Sequence, residues 1–445
     1  MQQGINVMGV LSAAVGLGAA GRSTLQVLDR RAIPYAVVDF DLGAGAASEP
    51  IPGSTPRASS LASLPYSTTV VHLNPDMFES MVLRWERRLG YDMAATVNAI
   101  VPFWELPALP HVWLPTLAGF DVLLAPTKFI RGALERGLTG ERRPVVWDYP
   151  QAVQAPVSFV PDRARWLGAR ASCTTFFSTF DILSEIERKN PWAAIRAFQQ
   201  AFPGRDDVTL VIKVNHARSS KHTERFAALA QLAADDPRVI LMMDSLSRVD
   251  LWELYASTDV FVSLHRAEGL GLGLMEAMAV GKPTIATAWS GNMDFCTDAN
   301  CMLVPYRMVP VSAVHPNYRG ERSQNWADPD ADAAASAMRV LADTPGLIER
   351  MGGQGRADMR ARVEVQCRHG VFDDLIDLSE GATASSSAHF ARVAVARRHA
   401  LTRRAAPSNL WESAKRTGVR ALRGLGLKPP PPADELQFGP PRMLS

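Results

Sequence analysis

The stretch SLHRAEGLGLGLMEAMAVGKPTIAT, residues Ser263–Thr287, decides the fold of this 445-residue chain. Its apolar start is typical of a buried strand that ends at Leu264, and a glycine-rich turn follows. A helix is predicted to begin at Gly271–Gly273 and to end at Gly281, because Gly-Lys-Pro is a common exit from a helix into the next strand. This strand–turn–helix–strand order predicts a parallel sheet covered by helices.

Two carboxylates flank the glycine-rich turn. Glu268 lies just before the predicted helix, and Glu276 lies about two turns into it. Eight residues at ~100° each place the two side chains within about 80° on a helical wheel, so both can face one cleft. Between them, the N–H groups of the turn and of the helix start can bind an anion. The pattern therefore predicts a site for a diphosphate.

Short apolar runs alternate with helical patterns on both sides of this stretch. Strands are predicted at residues 5–11, 35–40, 68–73, 121–125, 171–177, 208–214, 239–243, 260–264 and 283–287. Helices are predicted at residues 23–31, 192–202, 221–235, 249–257 and 273–280. The strands are rich in Val, Ile and Leu without strict alternation, as expected for parallel strands buried on both faces. We therefore predict an α/β protein with two doubly wound domains.

The predicted domain plan has four parts. These are an N-terminal domain of residues 1–155, a second domain of residues 156–370, a returning helical region of residues 371–400, and a basic, proline-rich tail of residues 401–445. Hydrophobic residues make up 47% and charged residues 21% of the chain, which excludes a disordered protein, a collagen-like rod and a coiled coil.

The cysteines and the hydropathy profile limit the class of protein further. The four cysteines are scattered and form no CxxC pair, so neither a disulfide scaffold nor a structural zinc site is expected. This usage favours a reducing compartment, which predicts a cytoplasmic protein. No run of about 20 apolar residues is present, so no helix is expected to span a bilayer.

The C-terminal segment is strongly basic. Residues 381–428 contain ten Lys or Arg and one Asp or Glu, whereas the rest of the chain contains 37 Lys or Arg and 44 Asp or Glu. Apolar residues such as Trp411 and Leu422 alternate there with Lys415 and Arg420. Residues 392–428 are therefore a candidate for peripheral binding to an anionic membrane surface, with a solvated tail as the alternative. Nucleic acid is not an expected partner, because no nucleic-acid-binding module accompanies the segment.

A second glycine motif lies near the start of the chain. Gly16-Leu-Gly18-Ala-Ala-Gly21 matches GxGxxG, and Asp39 follows at a spacing typical of a ribose-binding acid. Alone, this motif would indicate an NAD-dependent oxidoreductase, which remains an alternative at this point. The match is incomplete because residues 12–15 separate the predicted strand from the first glycine. Asp39 and Asp41 also form a DxD pair, which we interpret as strand-end acids without a metal.

The motif around Glu268 and Glu276 resembles the retaining glycosyltransferases of family 4, which have the GT-B fold. The Glu-x7-Glu spacing, the glycines of the turn and the GKPTIAT exit all match. Several further segments resemble a bacterial, mannosyltransferase-like branch of this family: GLG (16–18), FWELP (103–107), SEIERKNP (184–191), LVIK (210–213), YRMVP (306–310) and WADPD (326–330). The resemblance covers roughly residues 5–375 and leaves the basic tail outside.

The resemblance implies a fold and a reaction. Two Rossmann-like domains would face each other across a donor cleft. A hexose would move with retention from a nucleotide-diphosphate sugar to a glycan or glycolipid acceptor. GDP-mannose is the favoured donor and a UDP-sugar the other candidate. Two cations and backbone donors can stabilise a leaving diphosphate, so neither a cofactor nor a metal is expected. A non-catalytic nucleotide-sugar-binding protein is the remaining alternative.

The resemblance also implies roles for individual residues. Glu276 would hold the ribose hydroxyls, Glu268 the hydroxyls of the donor sugar, and the backbone of Gly269, Leu270 and Gly271 the distal phosphate. Lys189 matches the diphosphate-binding lysine of the family.

The position of the family's arginine is occupied by Leu183. This departure leaves Arg188 and Lys213 as candidates for the second cation. We take Glu268, Lys189 and Arg188 as the catalytic candidates.

The remaining site predictions concern the rim of the cleft. Gly16 and Gly18 would face the diphosphate from the N-terminal domain, and Ser245 would lie near the base. Three further residues are acceptor-site candidates near predicted strand ends: His72, Glu105 and His265.

Overall fold

A computed structural model describes residues 2–382 except 43–47, 52–60, 62–63, 84–89, 141–142, 183, 218–222, 313–317 and 319–323. The predicted basic tail, including residues 392–428, lies outside the described residues. Two six-stranded parallel sheets form the frame of the described chain. This confirms the prediction of two Rossmann-like α/β domains.

The first sheet has the strand order β2-β1-β3-β4-β5-β6. Its strands are β1 (Gln2–Gly9), β2 (Tyr35–Asp39), β3 (Tyr66–His72), β4 (Val97–Ile100), β5 (Val122–Ala125) and β6 (Val145–Asp148). Its helices are α1 (Gly16–Arg30), α2 (Pro75–Met81), α3 (Leu114–Leu117) and α4 (Lys128–Gly137), with short 3-10 turns at Met93–Ala95 and His111–Trp113. Thr127 is the N-cap residue of helix α4, and its hydroxyl accepts a hydrogen bond from the amide of Ile130.

The second sheet has the strand order β12-β11-β10-β7-β8-β9. Its strands are β7 (Thr174–Asp181), β8 (Val208–Asn215), β9 (Val239–Met242), β10 (Val260–Ser263), β11 (Thr284–Thr287) and β12 (Cys301–Val304). Its helices are α5 (Arg163–Leu167), α6 (Ile186–Lys189), α7 (Pro191–Ala201), α8 (Thr223–Ala234), α9 (Arg248–Ser257), α10 (Leu272–Ala279), α11 (Ala331–Asp343) and α12 (Leu347–Arg368), with 3-10 turns at Gly168–Arg170 and Gly291–Asp294.

Two further elements connect the halves of the chain. An antiparallel hairpin of β13 (Tyr306–Pro310) and β14 (Asn325–Pro329) projects from the second domain, and its Trp326 packs into the core of the first. Helix α13 (Val371–Ala382) contacts β1, β3 and β4 of the first sheet, where Phe372 and Leu375 are fully buried. The chain therefore returns to its N-terminal domain after passing through the second one.

The structure contains strands and helices that the sequence did not predict, and one predicted helix begins earlier than expected. Strands β4, β6, β12, β13 and β14 were not predicted: β4 has only four residues around the polar Asn98, β6 is a partly exposed edge strand, and β13 is largely exposed. Helices α2 to α6, α11 and α12 were not predicted either. Helix α1 begins at Gly16, not at residue 23. The glycines of GxGxxG therefore lie inside a helix, where a Cβ on Gly18 would lie 2.2 Å from the carbonyl oxygen of Ala13. Close packing on the preceding loop accounts for this glycine.

His72 is a core residue at the end of β3. Its ring is fully buried, and its Nε2 lies 2.9 Å from the Thr24 hydroxyl, which in turn lies 2.7 Å from the Tyr149 hydroxyl. Burial lowers the pKa of His72 to about 3, so the ring is neutral at physiological pH. The ring has no exposed surface with which to contact an acceptor, so we do not propose an acceptor role for it.

This buried ring predicts a pH-dependent stability. The folded-state pKa of His72 lies below its ordinary value, so the unfolded chain binds the proton first as the pH falls. The contribution of His72 to the free energy of unfolding is fully present above about pH 6.5 and is lost as the pH falls toward 3. Between pH 7.5 and pH 5, we expect the wild type to lose about 2 kcal/mol more free energy of unfolding than His72→Gln. Urea unfolding at both pH values measures this, and an equal loss in both proteins would contradict the assignment.

Candidate active site

A cleft of about 760 Å³ lies between the two domains. From the first domain it is lined by helix α1, including Arg22 and Ser23, and by the segment 151–157 that follows β6. From the second domain it is lined by residues 246–249, Leu270 and Leu272. Its volume suits a nucleotide-sized ligand. The glycine-rich turn quoted above therefore reaches an interdomain cleft.

Glu268 is a buried carboxylate with two cationic partners. Lys189 donates a hydrogen bond to Oε1, and Nη1 of Arg188 lies 3.2 Å from Oε2. Burial alone would raise the pKa of Glu268, but the charges of Lys189 and Arg188 lower it to about 2. Glu268 is therefore ionised throughout the physiological range.

The ERKNP segment explains how the two cations come to lie beside Glu268. Helix α6 ends at Lys189, and Asn190 follows in the left-handed conformation with φ of 50°. The Asn190 side chain donates a hydrogen bond of 3.0 Å to the carbonyl oxygen of Leu264, at the end of β10. The amide of Arg266 donates one of 2.7 Å to the carbonyl oxygen of Arg188. These bonds fix the end of α6 against the turn that carries Glu268.

Arg188 connects the two domains. Its Nη2 lies 3.4 Å from Oε1 of Glu105, in the first domain, and its Nη1 donates a 2.9 Å hydrogen bond to the carbonyl oxygen of Ala267. Burial would lower the pKa of Arg188, but the carboxylates of Glu105 and Glu268 raise it. The result is a permanent cation between two acids. Sequence analysis had no signal for the pairing with Glu105, which lies 83 positions away.

Glu105 has a second partner from the other domain. The Tyr318 hydroxyl donates a 2.6 Å hydrogen bond to its Oε2, and the Tyr318 ring stacks on Trp104 with ring centroids 5.0 Å apart. Glu105 keeps about a fifth of its side chain exposed. Glu105, a predicted acceptor-site residue, therefore lies at the domain boundary and shares its partner Arg188 with Glu268.

Lys213, the other candidate for the second cation, is placed differently. Its Nζ donates a 2.6 Å hydrogen bond to Oδ1 of Asn215, and the carboxylates of Asp181 and Asp244 are the charges that act on it. Burial lowers the pKa of Lys213 to about 8. Of the two candidates, Arg188 is the one that contacts Glu268.

Glu276 lies in helix α10 and is almost fully buried. The Tyr255 hydroxyl donates a 3.0 Å hydrogen bond to its Oε2. Its Oε1 forms an ion pair with Arg248 and accepts no other hydrogen bond within the described part of the chain. Helix α10 starts after Gly271, whose φ of 88° favours glycine. The predicted second acid is therefore a buried carboxylate that reaches the cleft through its partner Arg248.

The glycine turn is clamped from both domains. Thr127 donates a 2.9 Å hydrogen bond to the carbonyl oxygen of Gly269, and the amide of Gly291 donates one of 2.8 Å to that of Glu268. A Cβ on Gly269 would lie 2.8 Å from the carbonyl oxygen of Trp104. Leu270 is buried in the core of the second domain. The turn therefore has one well-defined conformation.

Two of the remaining predicted residues, Gly16 and Ser245, are exposed, and the third, His265, is buried. Gly16 is exposed at the start of α1, and the N-cap residue Val15 makes no side-chain capping bond. His265 is buried, with Nδ1 3.0 Å from the Ser263 hydroxyl and Nε2 3.1 Å from Oδ1 of Asn292. Burial lowers the pKa of His265, so it is a neutral residue that braces the end of β10. Ser245 is exposed, one residue before the segment that lines the cleft.

Asp39 lies at the end of β2 and is buried. One Asp39 oxygen accepts a 3.1 Å hydrogen bond from the amide of Ser12, so this acid braces the loop between β1 and α1.

Within the described ranges, no group of three His, Cys, Asp or Glu side chains is arranged to hold a metal ion. In the same part of the chain, no helix combines the length and apolarity needed to cross a membrane.

Residues 185–306 match the family described as Glycosyl transferases group 1. This segment contains Lys189, Arg188, Glu268 and Glu276. No curated protein matches the sequence significantly.

Solved structures share the fold at low sequence identity. A sucrose-phosphate synthase from Thermosynechococcus elongatus is 17% identical, with 86% of this chain and 100% of that chain covered and a TM-score of 0.57. A trehalose 6-phosphate synthase from Burkholderia multivorans is 15% identical, with 86% and 100% covered and a TM-score of 0.54.

The Anabaena protein HepE, solved in complex with UDP and glucose, is 14% identical, with 86% and 100% covered and a TM-score of 0.53. These structures confirm the GT-B fold. Together with the matched segment, they indicate a glycosyltransferase.

Proposed function

We propose that this glycosyltransferase moves a hexose, with retention, from a nucleotide-diphosphate sugar to a glycan or glycolipid. One observation carries the proposal. Glu268 and Glu276 lie on either side of a clamped glycine turn beside an interdomain cleft, and each is paired with a cation. This arrangement offers acceptors for sugar and ribose hydroxyls and donors for a diphosphate between them.

The donor half of the proposal rests on Glu276 and the turn. Its Oε1 pairs with Arg248, which lines the cleft, and an exchange of this partner would free the oxygen to accept from a ribose hydroxyl. The amides that begin α10 would face the phosphates. GDP-mannose remains the favoured donor from the family resemblance. The UDP bound to the Anabaena neighbour makes a UDP-sugar the competing candidate.

The chemical step would use the cations around Glu268. The bond between the anomeric carbon and the phosphate oxygen breaks, and negative charge develops on the diphosphate. Lys189 and Arg188 would stabilise that charge without a metal. The acceptor hydroxyl would attack from the same face, and its proton would pass to the departing phosphate. Glu268 would bind hydroxyls of the donor sugar, and Glu105 lies where an acceptor could approach.

Isothermal titration against GDP, UDP, ADP and NADH, with and without magnesium, tests this proposal. We expect one nucleoside diphosphate to bind independently of magnesium and Glu276→Gln to weaken that binding about tenfold or more, because an uncharged amide is a poorer acceptor for ribose hydroxyls. A donor-hydrolysis assay with the matching nucleotide sugar then identifies the hexose. Binding of NADH alone would favour the oxidoreductase alternative. Donor binding without any product from candidate acceptors would favour the non-catalytic one.

A further inference from the structure

Arg248 is a cleft residue that the sequence analysis did not identify. It is the first residue of α9 and lines the cleft next to Ser247 and Val249. Its guanidinium pairs with Oε1 of Glu276 and lies 4.7 Å from the centre of the Trp252 ring. About a quarter of its side chain is exposed. The residue therefore combines a buried stem with a charged head at the cleft.

The hydrogen bonds of Arg248 differ from those of the other buried arginines. Arg22 donates to the carbonyl oxygens of Leu11 and Ala13, at 2.6 and 3.0 Å, and pairs with Glu49. Arg188 likewise donates to a carbonyl oxygen and a hydroxyl. Within the described residues, the one acceptor of Arg248 is Glu276. Most of its five N–H donors therefore remain available to a ligand.

The surroundings of Arg248 favour an anionic ligand. Arg22 and Arg248 both line the cleft, and each is paired with one carboxylate, Arg22 with Glu49 and Arg248 with Glu276. Burial and the charge of Arg248 lower the pKa of Arg22, and Glu49 raises it. When Glu276 turns to a ligand, Arg248 loses its one carboxylate partner, and an anion bound in its place keeps this partly buried cation paired. A guanidinium with free donors fits phosphate oxygens especially well, because its planar fork can bind two of them.

We infer that Arg248 binds the phosphate next to the ribose of a nucleoside diphosphate, exchanging Glu276 for that phosphate when the ligand enters. This inference rests on the proposed function. In any nucleoside diphosphate the first phosphate is attached to the ribose, so a cation paired with the ribose-binding carboxylate is close to it. The exchange releases Oε1 of Glu276 for the ribose hydroxyls. Arg248 thus couples recognition of the phosphate to recognition of the sugar.

The test compares ligands with and without phosphate. GDP and UDP are titrated calorimetrically into the wild type, Arg248→Met and Arg248→Lys. Saturation-transfer NMR measures the affinity of guanosine and uridine at millimolar concentration. We expect Arg248→Met to weaken binding of the diphosphate by about 10- to 100-fold, and Arg248→Lys to weaken it less. Binding of the matching nucleoside should be unchanged or tighter, because Glu276 no longer has a competing partner.

Arg165→Met is the matched control. Arg165 pairs with Asp250 and Glu253 of the same helix and does not line the cleft, so its loss should leave both affinities unchanged. If Arg248→Met weakened the binding of the nucleoside and of the nucleoside diphosphate equally, the inference would be overturned. The residue would then act on the base or on the shape of the site. If the wild type binds neither GDP nor UDP, the proposed function itself fails, which is a distinguishable result.

Discussion

Glu268→Gln is expected to lower kcat by about 100- to 1,000-fold, a loss typical of removing one electrostatic contact from a reacting centre. The glutamine keeps the shape of the side chain but removes the negative charge that pairs with Lys189 and Arg188 and that would face the donor sugar in the proposed function. The affinity for the nucleoside diphosphate should be unchanged or higher, because both cations lose their counter-charge. Steady-state kinetics with the identified donor, together with titration of its diphosphate, measures both effects.

Glu253→Gln provides the matched control for this prediction. Glu253 is also paired with an arginine, Arg165, but it does not line the cleft. Its replacement should leave kcat within about twofold of the wild type, as expected for a surface ion pair. If Glu268→Gln kept kcat within about threefold as well, the carboxylate would have no role in the chemical step.

Arg188→Met is expected to lower the free energy of unfolding by about 3–5 kcal/mol. The variant leaves Glu105 and Glu268 without their shared partner, and both carboxylates are largely buried. Removing one partner from a buried cluster is costly because the remaining charges are poorly solvated. Urea unfolding followed by tryptophan fluorescence measures the change.

A double-mutant cycle separates this effect from a loss of packing. In a Glu105→Gln background, Arg188→Met removes the cation from only one acid. The loss in the free energy of unfolding caused by Arg188→Met should therefore be smaller by about 1 kcal/mol or more. If Arg188→Met lowered the free energy of unfolding equally in both backgrounds, the Arg188–Glu105 contact would contribute nothing to stability. Arg188→Lys keeps the charge and supplies a second measurement if the methionine variant does not fold.

The parts of the fold and of the site that could be predicted depend on residues that are close together in the sequence. The Ser263–Thr287 stretch predicted a strand, a glycine turn and a helix, and these are β10, the turn at Gly269–Gly271 and α10. Glu268 comes just before the glycine turn and Glu276 lies in the helix just after it, so both were expected near one cleft. Short-range periodicity and turn chemistry are properties of a few neighbouring residues, and they can be read without the fold.

For other predicted residues, the contacts that decide their surroundings come from elsewhere in the chain. The GxGxxG motif resembled a phosphate loop, but its Gly18 and Gly21 serve the packing of α1 on the preceding loop. His72 was an acceptor candidate, yet the sheet and α1 bury it completely.

The sequence by itself therefore determined the α/β class of both domains and the two acids that flank the glycine turn. Only the tertiary structure decided which cations serve those acids. Glu105 meets Arg188 and Tyr318, which lie 83 and 213 positions away, and Arg248 meets Glu276 from a different helix. Such pairs depend on how two sheets and their connecting loops are placed in space. No local pattern encodes that placement, because the free energy that fixes it is distributed over the cores of both domains.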